Sequence, residues 1–241
     1  MKPLAFFLAC CVACLVHGRE PQPVLHWNFN EPKAGTPLLD LRKALPARWS
    51  GGQNVGWQPS RMGHAIDLGR ELTASGVPCP CLTVAGMPVD FTKPFTVVTV
   101  LKLYPEAATD KGYRAFKDVW GNTATRGPGV RLSVFYGMLC LNAGDGTTPS
   151  SISSRAARTP IPIDRWFQVA CTYDGRQAAI YLNGQQVASG PLTILPPSHP
   201  FSIGAFNGKA YPLPGLVDDI AIYQAALTQK QIVNLYMDFA E

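Results

Sequence analysis

The chain has 241 residues, 46% of them hydrophobic, which allows one large β domain or two small ones with a sizeable core. Its 22 glycines and 22 prolines fit many turns and short strands. The formal charge of +5 is spread out, and its densest basic group, Arg155, Arg158 and Arg165, has no interleaved aromatics, which argues for a solvated loop and against a nucleic-acid groove.

Residues 1–18 read as an export signal. Lys2 gives a positive start, Pro3 to Val16 is apolar, and Val16-His17-Gly18 precedes a cut before Arg19. The run is too short to span a membrane, and no other run approaches that length, so no transmembrane segment is expected. Cys10, Cys11 and Cys14 raise a lipid anchor, but Cys11-Val12-Ala13-Cys14 matches the usual box poorly. Cleavage removes Lys2, so the mature charge is +5 − 1 = +4. The expected location is secreted, periplasmic or at the cell surface. Four cysteines remain: Cys79, Cys81, Cys140 and Cys171. Cys79-Pro80-Cys81 has the wrong geometry to bridge to itself. Cys171 reads either as a buried thiol or as a partner of Cys140.

Arg19 to Pro23 is a short lead, and residues 24–241 read as one domain. Val24 to Phe29 is the first strand. Glu31 to Pro46 is loop with one helical turn near Leu38 to Lys43, and Trp49 to Gly63 is a glycine-rich connection. Short strands follow at Ala65 to Leu68 and within Pro78 to Met87. Phe95 to Leu103 (FTVVTVLKL) is dense in β-branched residues and reads as a central strand. Phe116 to Trp120, Val130 to Tyr136 and Met138 to Asn142 are strands, with a hairpin at Gly137. Gly144 to Pro162 is long, small and polar, the composition of a functional or mobile loop.

Trp166 to Gly184 (WFQVACTYDGRQAAIYLNG) is the best-defined stretch. Strands Trp166 to Tyr173 and Gln177 to Leu182 are joined by Asp174-Gly175-Arg176, and Asn183-Gly184 turns the chain again. Strands at Gln185 to Ala188, Phe201 to Ala205 and Gly215 to Tyr223 follow. A closing helix starts at Thr228, an N-cap with Gln231 in capping-box position. Its Ile232, Leu235, Tyr236 and Phe239 share one face. About a dozen strands with one helix predict an all-β antiparallel sandwich.

Trp166 to Gly184 resembles the W-x-x-V-A-x-T-Y-D-G…Y-x-N-G hallmark of laminin G-like domains of the concanavalin A-like lectin/glucanase superfamily. Three further blocks agree in order: Trp27-Asn28-Phe29-Asn30-Glu31 followed by Asp40; Pro94-Phe95-Thr96-Val97; and Ser202-Ile203-Gly204 through Gly215-Leu216-Val217-Asp218-Asp219-Ile220-Ala221-Ile222-Tyr223 to Ala226-Leu227-Thr228 and Ile232. The resemblance covers roughly residues 24–238. It implies a jelly-roll β-sandwich of two curved sheets and leaves the function open, because lectins, adhesion modules, glycosidases and lyases share the fold. Two positions depart from the pattern: Gln168 stands where His is common, and Asn30 where Asp is commoner.

The fold's glycosidases carry a Glu-x-Asp-x-x-Glu strand, with one carboxylate as nucleophile and one as acid. Glu20, Glu31, Glu71, Glu106 and Glu241 show no such spacing, and His26, His64 and His199 are isolated. The expectation is therefore a binding module, not an enzyme, whose partner is a glycan or an extracellular protein surface; the alternatives are a structural module without a small ligand and, behind it, a divergent glycosidase or polysaccharide lyase. Consecutive Asp218 and Asp219 are expected to point to opposite sheet faces. The resemblance implies a structural calcium held by Asp218 or Asp219 with Glu31 and Asp40, a hard-oxygen set that suits Ca²⁺. For ligand binding, Trp49 and Tyr211 are the expected exposed rings.

Overall fold

The computed structural model describes residues 21–30, 38–39, 41, 45–50, 56–61, 63–70, 79–108, 116–123 and 126–240. The strands are β1 (Leu25–Trp27), β2 (Leu38–Leu39), β3 (Pro46–Ser50), β4 (Gly56–Ser60), β5 (Gly63–Asp67) and β6 (Cys81–Val84). They continue with β7 (Phe95–Leu103), β8 (Phe116–Gly121), β9 (Val130–Phe135), β10 (Met138–Gly144) and β11 (Pro149–Ser153). The last are β12 (Trp166–Tyr173), β13 (Gln177–Leu182), β14 (Gln185–Pro191), β15 (Phe201–Ile203) and β16 (Gly215–Tyr223), before helix α1 (Gln229–Ala240).

Two eight-stranded antiparallel sheets form. The first has the order β14-β13-β12-β7-β16-β5-β4, with β1 also paired to β16. The second runs β11-β10-β9-β8-β15-β6-β3-β2. Alternation explains the layering: on β9, Val130, Leu132 and Val134 enter the core, while Arg131, Ser133 and Phe135 face outward. The sandwich centre is aromatic. Phe91 stacks on Phe201 at 5.7 Å between ring centroids, and Trp120 stacks on Phe201 at 6.0 Å. These rings are almost fully buried and close the space between the sheets.

The Trp166–Gly184 hairpin forms as its residues dictate. Asp174 Oδ1 accepts from the Arg176 and Gln177 amides, and these bonds hold its carboxyl below the usual range. Gly175 takes φ 104°, where a Cβ would be strained. Gln168 is accounted for: its Nε2 donates to the Leu235 carbonyl at 3.0 Å, tying β12 to α1. The helix begins as expected, with Thr228 N–H donating to Gln231 Oε1 at 2.9 Å. Its Ile232 and Leu235 pack on Val98, Ala170, Tyr181, Ala221 and Tyr223, so α1 covers the outer face of the first sheet.

Several expectations are corrected. The connection at Trp49 to Gly63 contains β4 and the end of β3, and Leu38–Leu39 is strand, not helix. The stretch Gly144 to Pro162 holds β11, because Ile152 turns inward opposite Leu141, and Ile161 gives the polar segment a second core anchor. Cys140 and Cys171 do not pair: both are free and buried, and Cys79 and Cys81 are buried as well. Cys171 lies in the inter-sheet core, where burial pushes its thiol far up, whereas Cys140 faces outward from β10 and its Sγ donates to Ser153 Oγ at 3.1 Å. Residues 1–20, with the expected export signal and its cysteines, lie outside the described residues. Among those described, no helix is long and apolar enough to cross a membrane.

Candidate binding face

The outer face of the second sheet carries a file of five aromatic rings. Tyr136 meets Phe135 at 4.3 Å between centroids, and Phe135 stacks on Phe116 at 3.9 Å. Phe116 meets Tyr211 at 5.5 Å, and Tyr211 meets Phe206 at 5.5 Å. Two come from opposed positions of neighbouring strands, since Phe116 on β8 pairs with Phe135 on β9. A bulge between Asp118 and Trp120 lets Val119 and Trp120 both enter the core while Phe116 and Asp118 stay outside.

Turns supply the other three rings. Tyr136-Gly137 joins β9 to β10 with φ of 50° and 69°, the double left-handed turn that matches strand twist, and leaves Tyr136 47% exposed. Phe206 opens a tight loop closed by its own N–H donating to the Ala210 carbonyl at 2.8 Å. Tyr211 follows at φ 53°, and its carbonyl accepts from the Asp118 amide at 2.9 Å. Tyr136 and Tyr211 are two of eight non-glycine residues with positive φ among those described, a region most side chains avoid.

A buried ion pair lies beneath the file. Arg131 Nη1 donates to Asp118 Oδ2 at 3.1 Å and to Oδ1 at 3.3 Å. The Arg131 guanidinium sits 4.9 Å from the Phe206 ring centre, 5.5 Å from Phe116 and 5.7 Å from Tyr211. One cation thus holds three rings in place through their negative faces. Burial pushes the Asp118 carboxyl up to about 6, outweighing the opposing pull of Arg131.

A hollow opens at each end of the file. One, of about 430 Å³, is lined by His199, Ser202, Phe206, Asn207 and Lys209 among others. The other, of about 420 Å³, is lined by Phe135, Tyr136, Met138, Cys140, Ser153 and Arg155. Rings flanked by mainly apolar hollows that carry a few polar side chains can stack the apolar faces of a flat, hydroxylated ligand and hydrogen-bond its edges.

The expected site residues separate. Tyr211 joins the file, next to Phe206. Trp49 does not: it sits on β3 opposite Leu82 and packs half-buried against the main core, because strand alternation turns it inward. Phe116, Phe135 and Tyr136 were not singled out by the sequence; their signal is the outward half of each alternation plus the aromatic-Gly turn. Asp218 and Asp219 lie on the first sheet. They do not point to opposite faces, because a bulge between Asp218 and Ala221, with Asp219 at φ 42°, re-aims them. Asp218 accepts from the Asp219 amide at 2.8 Å and from Ser60 Oγ at 2.7 Å, and burial pushes its carboxyl up to about 6. Asp219 Oδ1 meets His26 Nε2 at 2.6 Å, beside a slot of about 200 Å³ between the sheet and α1. Asp219 Oδ2 is buried with no partner. Glu31 and Asp40 lie outside the described residues, among which no three His, Cys, Asp or Glu side chains gather to hold a metal.

A laminin G model of the concanavalin A-like lectin/glucanases superfamily matches residues 85–233, more than half of the chain. The chain belongs to this superfamily. The expected jelly roll of two antiparallel sheets with one short C-terminal helix is what this superfamily member has. No curated protein sequence matches the chain. Among solved structures, it resembles domain 4 of AbnA, an extracellular GH43 arabinanase from Geobacillus stearothermophilus solved with arabinotriose. That likeness has 19% identity and a TM-score of 0.66, and covers 90% of this chain and 100% of that one. It also resembles the ligand-binding domain of botulinum neurotoxin serotype D, solved with N-acetylneuraminic acid (16% identity, TM-score 0.65, 90% of this chain and 51% of that one). A third is the binding domain of botulinum neurotoxin DC, solved with rat synaptotagmin II (15% identity, TM-score 0.66, 90% and 51%). This chain spans about half the length of the neurotoxin domains. At these identities the likenesses establish the fold.

Proposed function

We propose that the chain is an exported, non-catalytic glycan-binding module whose site is the aromatic file on the second sheet. The observation that carries the reading is five rings in contact, Tyr136 exposed and the others half-buried, with a hollow at each end of the file. Sugar rings stack on such rings through their C–H faces, and the hollows offer Ser, Asn, Lys, His and Arg side chains to hydroxyl groups. The arabinotriose and N-acetylneuraminic acid held by two structural neighbours support this reading. Among the described residues of the file and its hollows, the carboxylate present is Asp118, and it is committed to Arg131. A paired-carboxylate hydrolysis needs two such groups free, so the face favours binding over catalysis. Export rests on the apolar leader of residues 1–18.

A glycan array on the mature chain tests the reading. The expected result is a defined set of bound glycans, lost in Tyr136→Ala and Tyr211→Ala at unchanged folding. An array left blank by the parent chain overturns it. A structural calcium at Asp218 or Asp219 with Glu31 and Asp40 is a separate proposal. It is supported by the buried, partnerless Asp219 Oδ2, an oxygen that a cation would satisfy. The other three oxygens of the two carboxylates are met by Asp219 N–H, Ser60 and His26. An unfolding midpoint unmoved by chelator overturns that proposal.

A further inference from the structure

The hollows of the two sheets divide by charge. On the first sheet, the slot beside α1 is lined by Asp238 and by Asp219 with its partner His26, and the hollow near the β12–β13 turn by Asp174. On the second, the hollow at one end of the aromatic file is lined by Lys209 and His199, and the hollow at the other end by Arg155. Among the described residues, neither of these hollows has a carboxylate in its lining. Among the described residues, Lys209 and Arg155 are exposed and in no ion pair, and the nearby Asp118 is 2% exposed and tied to Arg131, so it offsets neither. Among these residues, the face therefore places Lys209 at one end of the row of rings and Arg155 at the other.

We infer that the ligand of this face is an acidic oligosaccharide, with sugar rings on the aromatic file and carboxylate or sulfate groups at Arg155 and Lys209. The inference rests on the glycan reading above and names the class of glycan. A neutral sugar uses the rings but leaves both cations hydrated. An acidic one adds a charge-assisted bond at each end: Arg155 takes a carboxylate or sulfate with its planar fork, and Lys209 acts as a point charge. The acidic hollows of the opposite sheet repel the same ligand, so binding is confined to one side of the sandwich.

Matched probes test this on the full mature chain: a galacturonate hexasaccharide against its fully methyl-esterified form, and a sulfated galactan hexasaccharide against its desulfated form. Affinities are measured by calorimetry at low and high salt. At least one acidic probe binds about tenfold or more tighter than its neutral counterpart, and Arg155→Ala and Lys209→Ala each remove about tenfold, as lost bonds to charged groups do. Which acidic probe binds separates carboxylate from sulfate as the recognised group. Raising the salt weakens binding, as partly exposed charges require. Both substitutions are at exposed positions and leave the unfolding midpoint unchanged, and Arg155→Lys recovers part of the loss. Equal affinity for acidic and neutral forms, unaffected by Arg155→Ala/Lys209→Ala but abolished by Tyr136→Ala, overturns the inference and leaves the glycan reading standing. If no probe binds and a broad array is also blank, the glycan reading falls and takes this inference with it.

Discussion

The two sheets share one core and use their outer faces in opposite ways. The first is closed: α1 lies across it, Gln168 fastens the helix backbone, and its polar residues pair among themselves, Asp218 with Ser60 and Asp219 with His26. The second is open: its rings touch one another, and the ion pair is sunk beneath them. Burying polar groups under a helix demands partners, and the first face supplies them to Asp218, to Asp219 Oδ1 and to Gln168 Nε2, while Asp219 Oδ2 and Gln168 Oε1 are left without one. Leaving rings on a surface costs apolar exposure, which a ligand recovers by stacking. The lesson is that in a sandwich of this kind the face that lacks a helix is the one free to bind.

The largest expected effect comes from the ion pair. Arg131→Met leaves Asp118 buried without its counter-charge and removes the cation that three rings share. Stability falls by about 3–5 kcal/mol in urea titration, and glycan binding falls with it. Ile232→Ala strikes the first face instead. A buried residue at the helix–sheet contact is lost, at a cost of about 2–5 kcal/mol. Because the helix is on the far side, affinity measured below the unfolding midpoint stays at its parent value; a matching loss of affinity would show that the two faces are coupled.

Tyr136→Ala is the reverse experiment. The ring is half exposed, so stability changes by no more than about 0.5 kcal/mol, while binding drops by about 1 kcal/mol or more if the ring is an anchor. The smallest effect is in pH. An acid whose folded pKa lies above its ordinary value holds its proton more tightly folded than unfolded. Asp118 therefore contributes most at acid pH, and its contribution declines as pH rises from near 4 through about 6. Unfolding followed across that range shows the decline, and Asp118→Asn, destabilised throughout by the broken pair, flattens this part of the slope.

Much of the fold was legible in the chain because its signals are local. Asp174-Gly175 and Asn183-Gly184 turn where their backbone tolerances say they should, and Thr228 with Gln231 starts the helix. Strands with weak alternation were missed: β4 is short and contains Pro59, and β11 is a serine-rich segment identified only by its pairing with β10. The face was half legible. Tyr211 stood out as a loop aromatic, but Phe116 and Phe135 are 19 residues apart in sequence and meet only through the β8–β9 register. The two aspartates were recognised as unusual, yet a bulge that adds one residue reverses where a side chain points, and no local pattern announces it.

The placement of the chain's ends follows from the same asymmetry. Strand β1 pairs with β16 near the middle of the first sheet, and α1 leaves β16 to lie on that sheet, so both ends of the described domain run on the side away from the rings. The described terminal segments therefore leave the aromatic file uncovered.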